Sequence, residues 1–444
     1  MSAIPLLPVV VMAKAPVAGR VKTRLVPVLG AEGAARLARA LLEDCLQTLT
    51  RLPWAKLRIA ADEPEAFTDF GLPVEDQGTG PLGERLERVL QRALRDGPAA
   101  LAVGTDAPGL PLELLERARS ALDRADAVFV PADDGGFVAL GLRRCPPGLL
   151  ADLPWSCEGT LEATEARLRK HGFRVARTRG WFDIDGPADL ARLRVERALG
   201  GVRSPAVELL LDHSPHAPWL SVVMPVLDEE SRLPEALRRL GKVAGVDEIL
   251  VVDGGSRDRS RAIAESEGAR VVVAPKGRGP QMNAGAAVAR GEALCFLHAD
   301  VSLPPDAVRQ IARALSRPSV VATAFRTLTV DDGGDSRWRP WLRVADLRSH
   351  AARLPYGDQA VCVRRSVFER IEGFPVQPLF EDVEMARRLH RVGRIARLPG
   401  YVQVSGRRFV QRPFRTVALW NVLPTLYRLG LPPSLLERLY GRVR

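Results

Sequence analysis

The chain has 444 residues, 46% of them hydrophobic and 26% charged, which is too long for one ordinary domain and too apolar for a disordered or collagen-like chain. Its formal charge of +11 is concentrated at one end: thirteen Arg and a single acid, Glu437, follow Ala386, so the first 386 residues are close to neutral. No nucleic-acid motif accompanies that basic end and aromatic residues make up only 5%, so nucleic acid is not an expected partner. The five cysteines (Cys45, Cys145, Cys157, Cys295 and Cys362) include no C-x-x-C pair and no histidine at zinc spacing, which argues against structural zinc and a disulfide framework.

The opening Met1 to Ala13 is apolar but lacks the basic flank of a signal peptide, and Lys14 arrives too early for a membrane span. It reads as a first strand carrying Val9-Val10-Val11-Met12. The loop that follows, Lys14-Ala-Pro-Val-Ala-Gly19-Arg20-Val-Lys22-Thr-Arg24, concentrates four cations around a glycine. Lys and Arg at that density suit phosphate oxygens, although the spacing is not that of a Walker A loop; the alternative is a solvated basic loop. Further on, Gly104-Thr105-Asp106 ends an apolar run, Asp133-Asp134-Gly135-Gly136 pairs carboxylates with glycines, and Asp183-Ile184-Asp185-Gly186-Pro187 adds another pair. Such carboxylates suit a shared divalent cation, while Asp183 or Asp185 equally suits the cap of the helix that Pro187 begins.

The periodic pattern lapses between Leu199 and Leu220, in a stretch with Gly200, Gly201, Pro205, Pro215 and Pro218. This places a first domain at residues 1–205, a linker at 206–218 and a second domain at 219–444. The second domain again opens on an apolar strand, Ser221 to Val226, followed by Asp228-Glu229-Glu230. Next come the strand-end Asp253 with Gly254-Gly255, and a Gly-rich basic loop from Lys276 through Arg278 to Asn283 that runs into a helix. Another strand ends in His298-Ala299-Asp300, where a lone carboxylate can carry Mg2+ or Mn2+ on diphosphate oxygens. Gly357-Asp358-Gln359-Ala360 and Phe380-Glu381-Asp382-Val383-Glu384 complete the set; Glu381 and Asp382 also suit the start of a helix over Val383 to Arg391. Strands alternating with helices, and acidic loops at the strand ends, predict doubly wound α/β sheets in both halves.

The second-half motifs, in this order, resemble glycosyltransferase family 2 across nearly all of residues 219–430. The resemblance implies a GT-A nucleotide-sugar fold in which Asp228, Glu229, Asp253, Arg278, Asn283 and Asp300 form the donor side, with Asp300 the metal-binding Asp of the family's D-x-D element. The first carboxylate of that element is His298 here. Asp358 and Gln359 fall in the acceptor region, and Glu381 and Asp382 in the catalytic cluster, with Asp382 the expected base of an inverting transfer. More narrowly, these motifs resemble transferases of arsenosugar-biosynthesis and radical-SAM selenodomain clusters, or carotenoid-acid glycosyltransferases. Residues 8–196 resemble the companion transferase of those clusters, a relative of the molybdenum-cofactor and phospholactate guanylyltransferases. That implies phosphate binding by Lys14, Gly19, Arg20, Lys22 and Arg24 and metal binding by Asp106 and Asp185, with nucleotidyl or glycosyl transfer left open.

The expected protein is therefore an α/β enzyme of two tandem GT-A-like doubly wound domains: a bifunctional, metal-dependent transferase of the cytoplasm. Its donor is a nucleotide-sugar and its acceptor a small molecule or a lipid-like one. The Trp- and Tyr-containing stretch Thr416 to Leu429, flanked by Arg407, Arg408, Arg412, Arg415 and Arg428, suits a core helix with a basic face or a peripheral contact with the inner membrane surface. Two other readings stand beside this one: a nucleotidyltransferase whose second domain only binds sugar-nucleotide, and a non-enzymatic membrane-surface scaffold.

Overall fold

A computed structural model of the protein describes residues 6–212, 218–330, 346, 355–406, 422–423, 426–427 and 429–441. The chain divides into two units, residues 1–216 and, setting aside residues 316–318, residues 217–444.

In the first unit the strands are β1 (Leu7–Ala13), β2 (Ala55–Ala61), β3 (Val74–Asp76), β4 (Ala100–Gly104), β5 (Ala127–Pro131), β6 (Phe137–Leu142) and β7 (Val175–Arg177). They form one sheet in the order β3-β2-β1-β4-β6-β5-β7. The central β1 is parallel to β2 and β4, and β6 runs antiparallel to both of its neighbours. Val9, Val10 and Val11 are fully buried, as a strand covered by helices on both faces requires. Those helices are α1 (Val26–Leu49), α2 (Leu82–Ala93), α3 (Leu112–Ala121), α4 (Thr160–Lys170), α5 (Pro187–Ala198) and α6 (Pro205–Asp212). In α2, Leu86, Val89, Leu90 and Ala93 are buried, the one-face spacing of an amphipathic helix, while Arg88 lies off that stripe.

The second unit contains β8 (Leu220–Val226), β9 (Glu248–Asp253), β10 (Arg270–Val273), β11 (Ala293–Phe296), β12 (Val301–Ser302), β13 (Val320–Val330), β14 (Val361–Arg364) and β15 (Arg394–Ser405). Their order is β10-β9-β8-β11-β14-β13-β15-β12. Its helices are α7 (Leu233–Leu240), α8 (Ser260–Ser266), α9 (Arg278–Val288), α10 (Ala307–Leu315), α11 (Arg365–Arg370), α12 (Glu381–Val392) and α13 (Pro433–Gly441). Numbered from its own first strand, with β12 left out as an extra edge strand, this sheet repeats the strand order of the first. The expectation of two tandem doubly wound units of GT-A type holds.

Residues 205–212, nearly all of them assigned to the linker by the sequence pattern, form α6 instead. The reason is Asp44 on α1: its buried carboxylate accepts from the Ser204 hydroxyl, from the Ala206 N–H at 3.0 Å and from the Val207 N–H at 3.3 Å, capping α6 from a distance of 160 residues. Proline and polar residues nearby hide a helix whose cap lies elsewhere in the chain. The Arg-rich segment carrying Arg407, Arg408, Arg412, Arg415 and Arg428 lies outside the described residues. No described helix is long and apolar enough to cross a membrane. Replacing Asp44 by Ala orphans two backbone N–H groups and a hydroxyl and is expected to cost about 2 kcal/mol. Calorimetry should register this as a fall of roughly 4–8 °C in the first unit's transition.

Candidate functional sites at the strand ends

In each sheet one pair of neighbouring parallel strands, β1/β4 and β8/β11, marks the point where successive connections turn to opposite sides. The loops beyond their carboxyl ends are where such a fold leaves a crevice. In the first unit Met12 pairs with Gly104, so the basic loop after β1 meets the Asp106 loop after β4. Lys22 adopts the left-handed conformation, φ 46°, and its side chain turns inward, 6% exposed. The Lys22 Nζ lies 2.7 Å from Asp106 Oδ1 and 3.2 Å from Asp185 Oδ1, and donates to the Ile184 carbonyl at 2.6 Å. Burial pulls the ammonium pKa down, but the two carboxylates outweigh it and the net shift is upward.

Beside this clamp the carboxylates of Asp134, Asp183 and Asp185 each bring an oxygen within 4.8 Å of the others. Burial pushes the Asp183 carboxyl well above its usual range, and the charges of Asp134, Asp185, Asp189 and Asp106 add to it. Burial raises Asp134 as well, against the opposing N–H of Gly136. Three oxygens at that separation, held against their mutual repulsion, fit a hard divalent cation. Asp106, expected as a metal ligand, stands outside this trio in the ion pair with Lys22, and Asp134 and Asp183 join Asp185 instead.

Neither Asp183 nor Asp185 caps the following helix. Asp189, inside the first turn of α5, accepts from the backbone N–H groups of Asp185 at 3.0 Å and Gly186 at 2.8 Å, which leaves the two earlier carboxylates for the cleft. Burial lifts the Asp189 pKa to about 6. Asp133 is drawn away by the buried Arg192 guanidinium, 2.6 Å distant. Of the other basic-loop residues, Arg20 pairs with Glu63 at 2.6 Å, and Lys14 donates to the Arg20 carbonyl at 2.9 Å. Arg24 is exposed, with a guanidinium nitrogen 4.0 Å from Asp185. Gly19, φ 77°, has open space where a side chain would stand. Lys22 is thus a clamp between carboxylates, while Lys14 and Arg24 stay exposed beside the cleft.

In the second unit the loops after β8 and β9 are tied together. Asp228, itself left-handed at φ 54°, accepts from the Arg257 N–H at 2.7 Å, while its own N–H donates to the Ser256 hydroxyl; the Glu229 N–H donates to Ser260. Asp253 is 1% exposed and accepts from the N–H groups of Gly255 and Ser256 at 3.0 Å and from the Arg261 guanidinium at 2.6 Å. Its carboxylate is thereby engaged in holding its own loop, where a contact to the donor nucleoside was expected. Gln281, buried on α9, donates to the carbonyls of Val226 and Val252 and so joins the ends of β8 and β9, a role the sequence pattern did not assign to it. Asn283, expected on the donor side, exchanges two hydrogen bonds of 2.9 Å with the Phe374 backbone. Arg278, in the first turn of α9, has no hydrogen bond or ion pair among the described residues.

The antiparallel pairing of Phe296 with Val361 brings the loop before β14 alongside the loop after β11. Gly357 sits in this corner: a Cβ there would meet His298 Nε2 at 2.9 Å and Asp382 Oδ2 at 3.4 Å. The Gly357 N–H donates to Asp382 Oδ2 at 2.7 Å, and the Val383 N–H to Asp382 Oδ1 at 2.7 Å. Glu381 is buried and Asp382 half-buried, so Asp382 is the member of the pair that reaches the open corner. Both also begin α12, as their acidity at a helix N-terminus allows. Gln359 turns inward to accept from the Tyr356 N–H, while Asp358 stays half-buried. The half-buried Asp300 carboxylate has no partner among the described residues, and a carboxylate so placed is able to ligate a divalent cation. Phe380, just before α12, is left-handed at φ 65°, a conformation that costs a non-glycine residue about 1–2 kcal/mol.

Residues 46–157 match the family model described as an uncharacterized protein conserved in bacteria, DUF2064, and residues 221–374 match glycosyl transferase family 2. The chain joins a DUF2064 region to a glycosyl transferase family 2 region. The first match stops short of the basic loop and of Asp183 and Asp185; the second ends before Glu381. The chain is 34% identical over 170 residues to an undecaprenyl-phosphate 4-deoxy-4-formamido-L-arabinose transferase of Pseudomonas paraeruginosa, covering 34% of this chain and 48% of that protein. The corresponding transferase of Pseudomonas fluorescens strain Pf-5 is 32% identical over 169 residues, 34% of this chain and again 48% of that protein. This chain thus spans about half the length of these curated relatives. Among solved structures, a candidate nucleotide-diphospho-sugar transferase from Desulfovibrio desulfuricans G20 is 32% identical, with a TM-score of 0.43, over 46% of this chain and 94% of that one. Glucosyl-3-phosphoglycerate synthase from Mycobacterium tuberculosis, solved with Mn2+ and UDP, is 22% identical with a TM-score of 0.31, over 42% of this chain and 70% of that one.

The network around Asp253 carries a pH signature. Burial alone would raise its pKa, but the donors from Ser256, Arg261 and Gly255 outweigh burial and hold it below the ordinary 3.8. The stabilisation is therefore present above that value and lost as pH falls through the depressed one. Asp253→Asn is expected to cost about 2 kcal/mol at pH 7. In urea titrations the gap to wild type should stay flat down to about pH 4 and close below it.

Proposed function

We propose that the second unit transfers a sugar from a nucleotide-diphosphate donor to a small or lipid-like acceptor with inversion. The observation that carries this reading is the corner where Asp382, pinned by the Gly357 N–H at 2.7 Å, shares Gly357 with His298, two residues from Asp300, whose carboxylate has no partner among the described residues. Each Asp382 oxygen accepts one backbone N–H and keeps a further lone pair, so the carboxylate can take the acceptor's hydroxyl proton without leaving its place. Arg278, without a hydrogen bond or ion pair among the described residues, and the N-terminus of α9 offer the donor's diphosphate an anion site. Asp300 would hold a divalent cation, Mg2+ or Mn2+, and that ion would offset charge on the departing diphosphate. Asp228 and Glu229 belong to the nucleoside end of the same crevice, and Asp358 to the acceptor end. The undecaprenyl-phosphate named in the curated relatives makes a polyprenyl phosphate the first acceptor to test. A cytoplasmic protein whose Arg-rich end meets the inner membrane face suits that acceptor.

For the first unit we propose nucleotide-phosphate binding over a divalent cation held by Asp134, Asp183 and Asp185, with Lys14 and Arg24 toward the phosphates and nucleotidyl or glycosyl transfer as the reaction. The carboxylate trio favours the nucleotidyl reading. Release of pyrophosphate from a nucleoside triphosphate, lost in Asp183→Asn, would support it; release of nucleoside diphosphate from a nucleotide-sugar would favour the glycosyl reading.

For the second unit the test uses the whole chain, a panel of UDP-, GDP-, ADP- and dTDP-sugars, and Mn2+. One donor should raise the melting temperature in a Mn2+-dependent way, and Asp300→Asn should remove the dependence. Asp382→Asn should lower turnover by about 10²–10⁴-fold while donor affinity stays within about twofold. A tenfold loss of donor affinity in that variant would move Asp382 to the donor side.

A further inference from the structure

We infer that Tyr427 is a positioning residue for Asp382, acting through Phe380; its bearing on catalysis rests on the glycosyl-transfer reading above. The backbone of Phe380 has φ 65° and ψ 24°, a region that a residue with an aromatic side chain seldom occupies unless its surroundings hold it there. Among the described residues, one ring stacks on it. Tyr427 stacks on Phe380 with centroids 4.7 Å apart and planes 18° from parallel, and the Arg387 guanidinium lies 5.3 Å from the centroid of the same Tyr427 ring. Phe380 immediately precedes α12 and Arg387 lies within it, so one tyrosine from the C-terminal segment grips both the approach to the helix and the helix itself. Its own backbone is held by a turn in which the Gly430 N–H donates to the Tyr427 carbonyl at 3.0 Å, and Leu423 and Leu436, before and after it in the chain, are buried.

The direction in which the chain enters α12 decides where its first turn points. With Phe380 left-handed, its carbonyl accepts the Glu384 N–H at 3.1 Å, and Asp382 projects to the Gly357 N–H. Without the Tyr427 ring, Phe380 is free to relax toward the right-handed or extended region, the first turn rotates, and Asp382 leaves Gly357. Glycine at position 380 has no such preference and would hold the turn unaided.

Hydrogen exchange of the full chain, read by mass spectrometry on peptides spanning 355–360 and 380–386, tests this without any substrate. Tyr427→Ala should speed exchange in both peptides by about tenfold while β8 and β9 keep wild-type protection. Tyr427→Phe, which keeps the stack, should exchange as wild type. Tyr427→Ala combined with Phe380→Gly should return toward the rate of Phe380→Gly alone. Unchanged protection in Tyr427→Ala, or a loosening shared equally by β8 and β9, would overturn the inference; so would failure of Phe380→Gly to rescue. Should Tyr427→Ala not fold, Tyr427→Leu removes the flat ring at similar bulk and is read in the same way. In nucleotide release from UDP-glucose with Mn2+, Tyr427→Ala should lower kcat and leave the donor KM within about twofold. A wild-type chain that releases nucleotide from no nucleotide-sugar would refute the transfer reading and leave the exchange result to decide the role of Tyr427.

Discussion

Strands buried on both faces have no tolerance for a charge along their length, because a carboxylate between two layers of helix would lose its water with nothing to replace it. In both units the central strands β1, β4, β8 and β11 accordingly carry no charged residue, and acids gather in the loops beyond the strands' carboxyl ends. Each charge there must still be compensated, and the compensation decides what remains for a ligand. Asp253 is met by two backbone N–H groups and a guanidinium, and so holds its loop. Asp106 is met by Lys22. Among the described residues Asp300 has no such partner, and Asp134, Asp183 and Asp185 face one another.

The shared strand order makes the contrast between the units informative. The loop after β4 and the loop after β11 occupy the same place in the two sheets, and both end on an aspartate, Asp106 and Asp300. In the first unit a lysine from the neighbouring loop neutralises that aspartate, and the crowded carboxylates come from the β5–β6 connection and from the segment after β7. In the second unit His298 stands where a carboxylate would crowd Asp300, and the corner holding Asp382 is assembled from the connection before β14 and the start of α12. One scaffold thus carries two distributions of charge.

Helix starts do much of the positioning. Asp189 caps α5 from within its first turn and so frees Asp183 and Asp185. Phe380 turns left-handed so that α12 begins with Asp382 against Gly357 rather than with Asp382 as an ordinary solvated acid. Asp44 caps α6 and converts a Pro-flanked stretch into part of the first unit's helical layer. In all three cases a backbone N–H needs a partner, and the partner chosen sets which side chains stay available.

The sequence alone was sufficient for the class of fold and the alternation of strands and helices, and it placed acids in the loops at the strand ends, because burial periodicity and strand-end acids are local properties of the chain. The same local signals led it to expect a boundary at residues 206–218 and to name Asp300, Asp382 and Asp185 as candidates. It could not choose between Asp133 and Asp134, which differ only in that Arg192, 59 residues away, claims one of them. Nor could it show that Lys22 is a clamp, that Asn283 serves the Phe374 backbone, or that residues 205–212 are helical. Each of those outcomes depends on which donor meets which acceptor across the fold. That pairing is set by three-dimensional proximity between distant segments, a quantity that no local pattern of residue types contains.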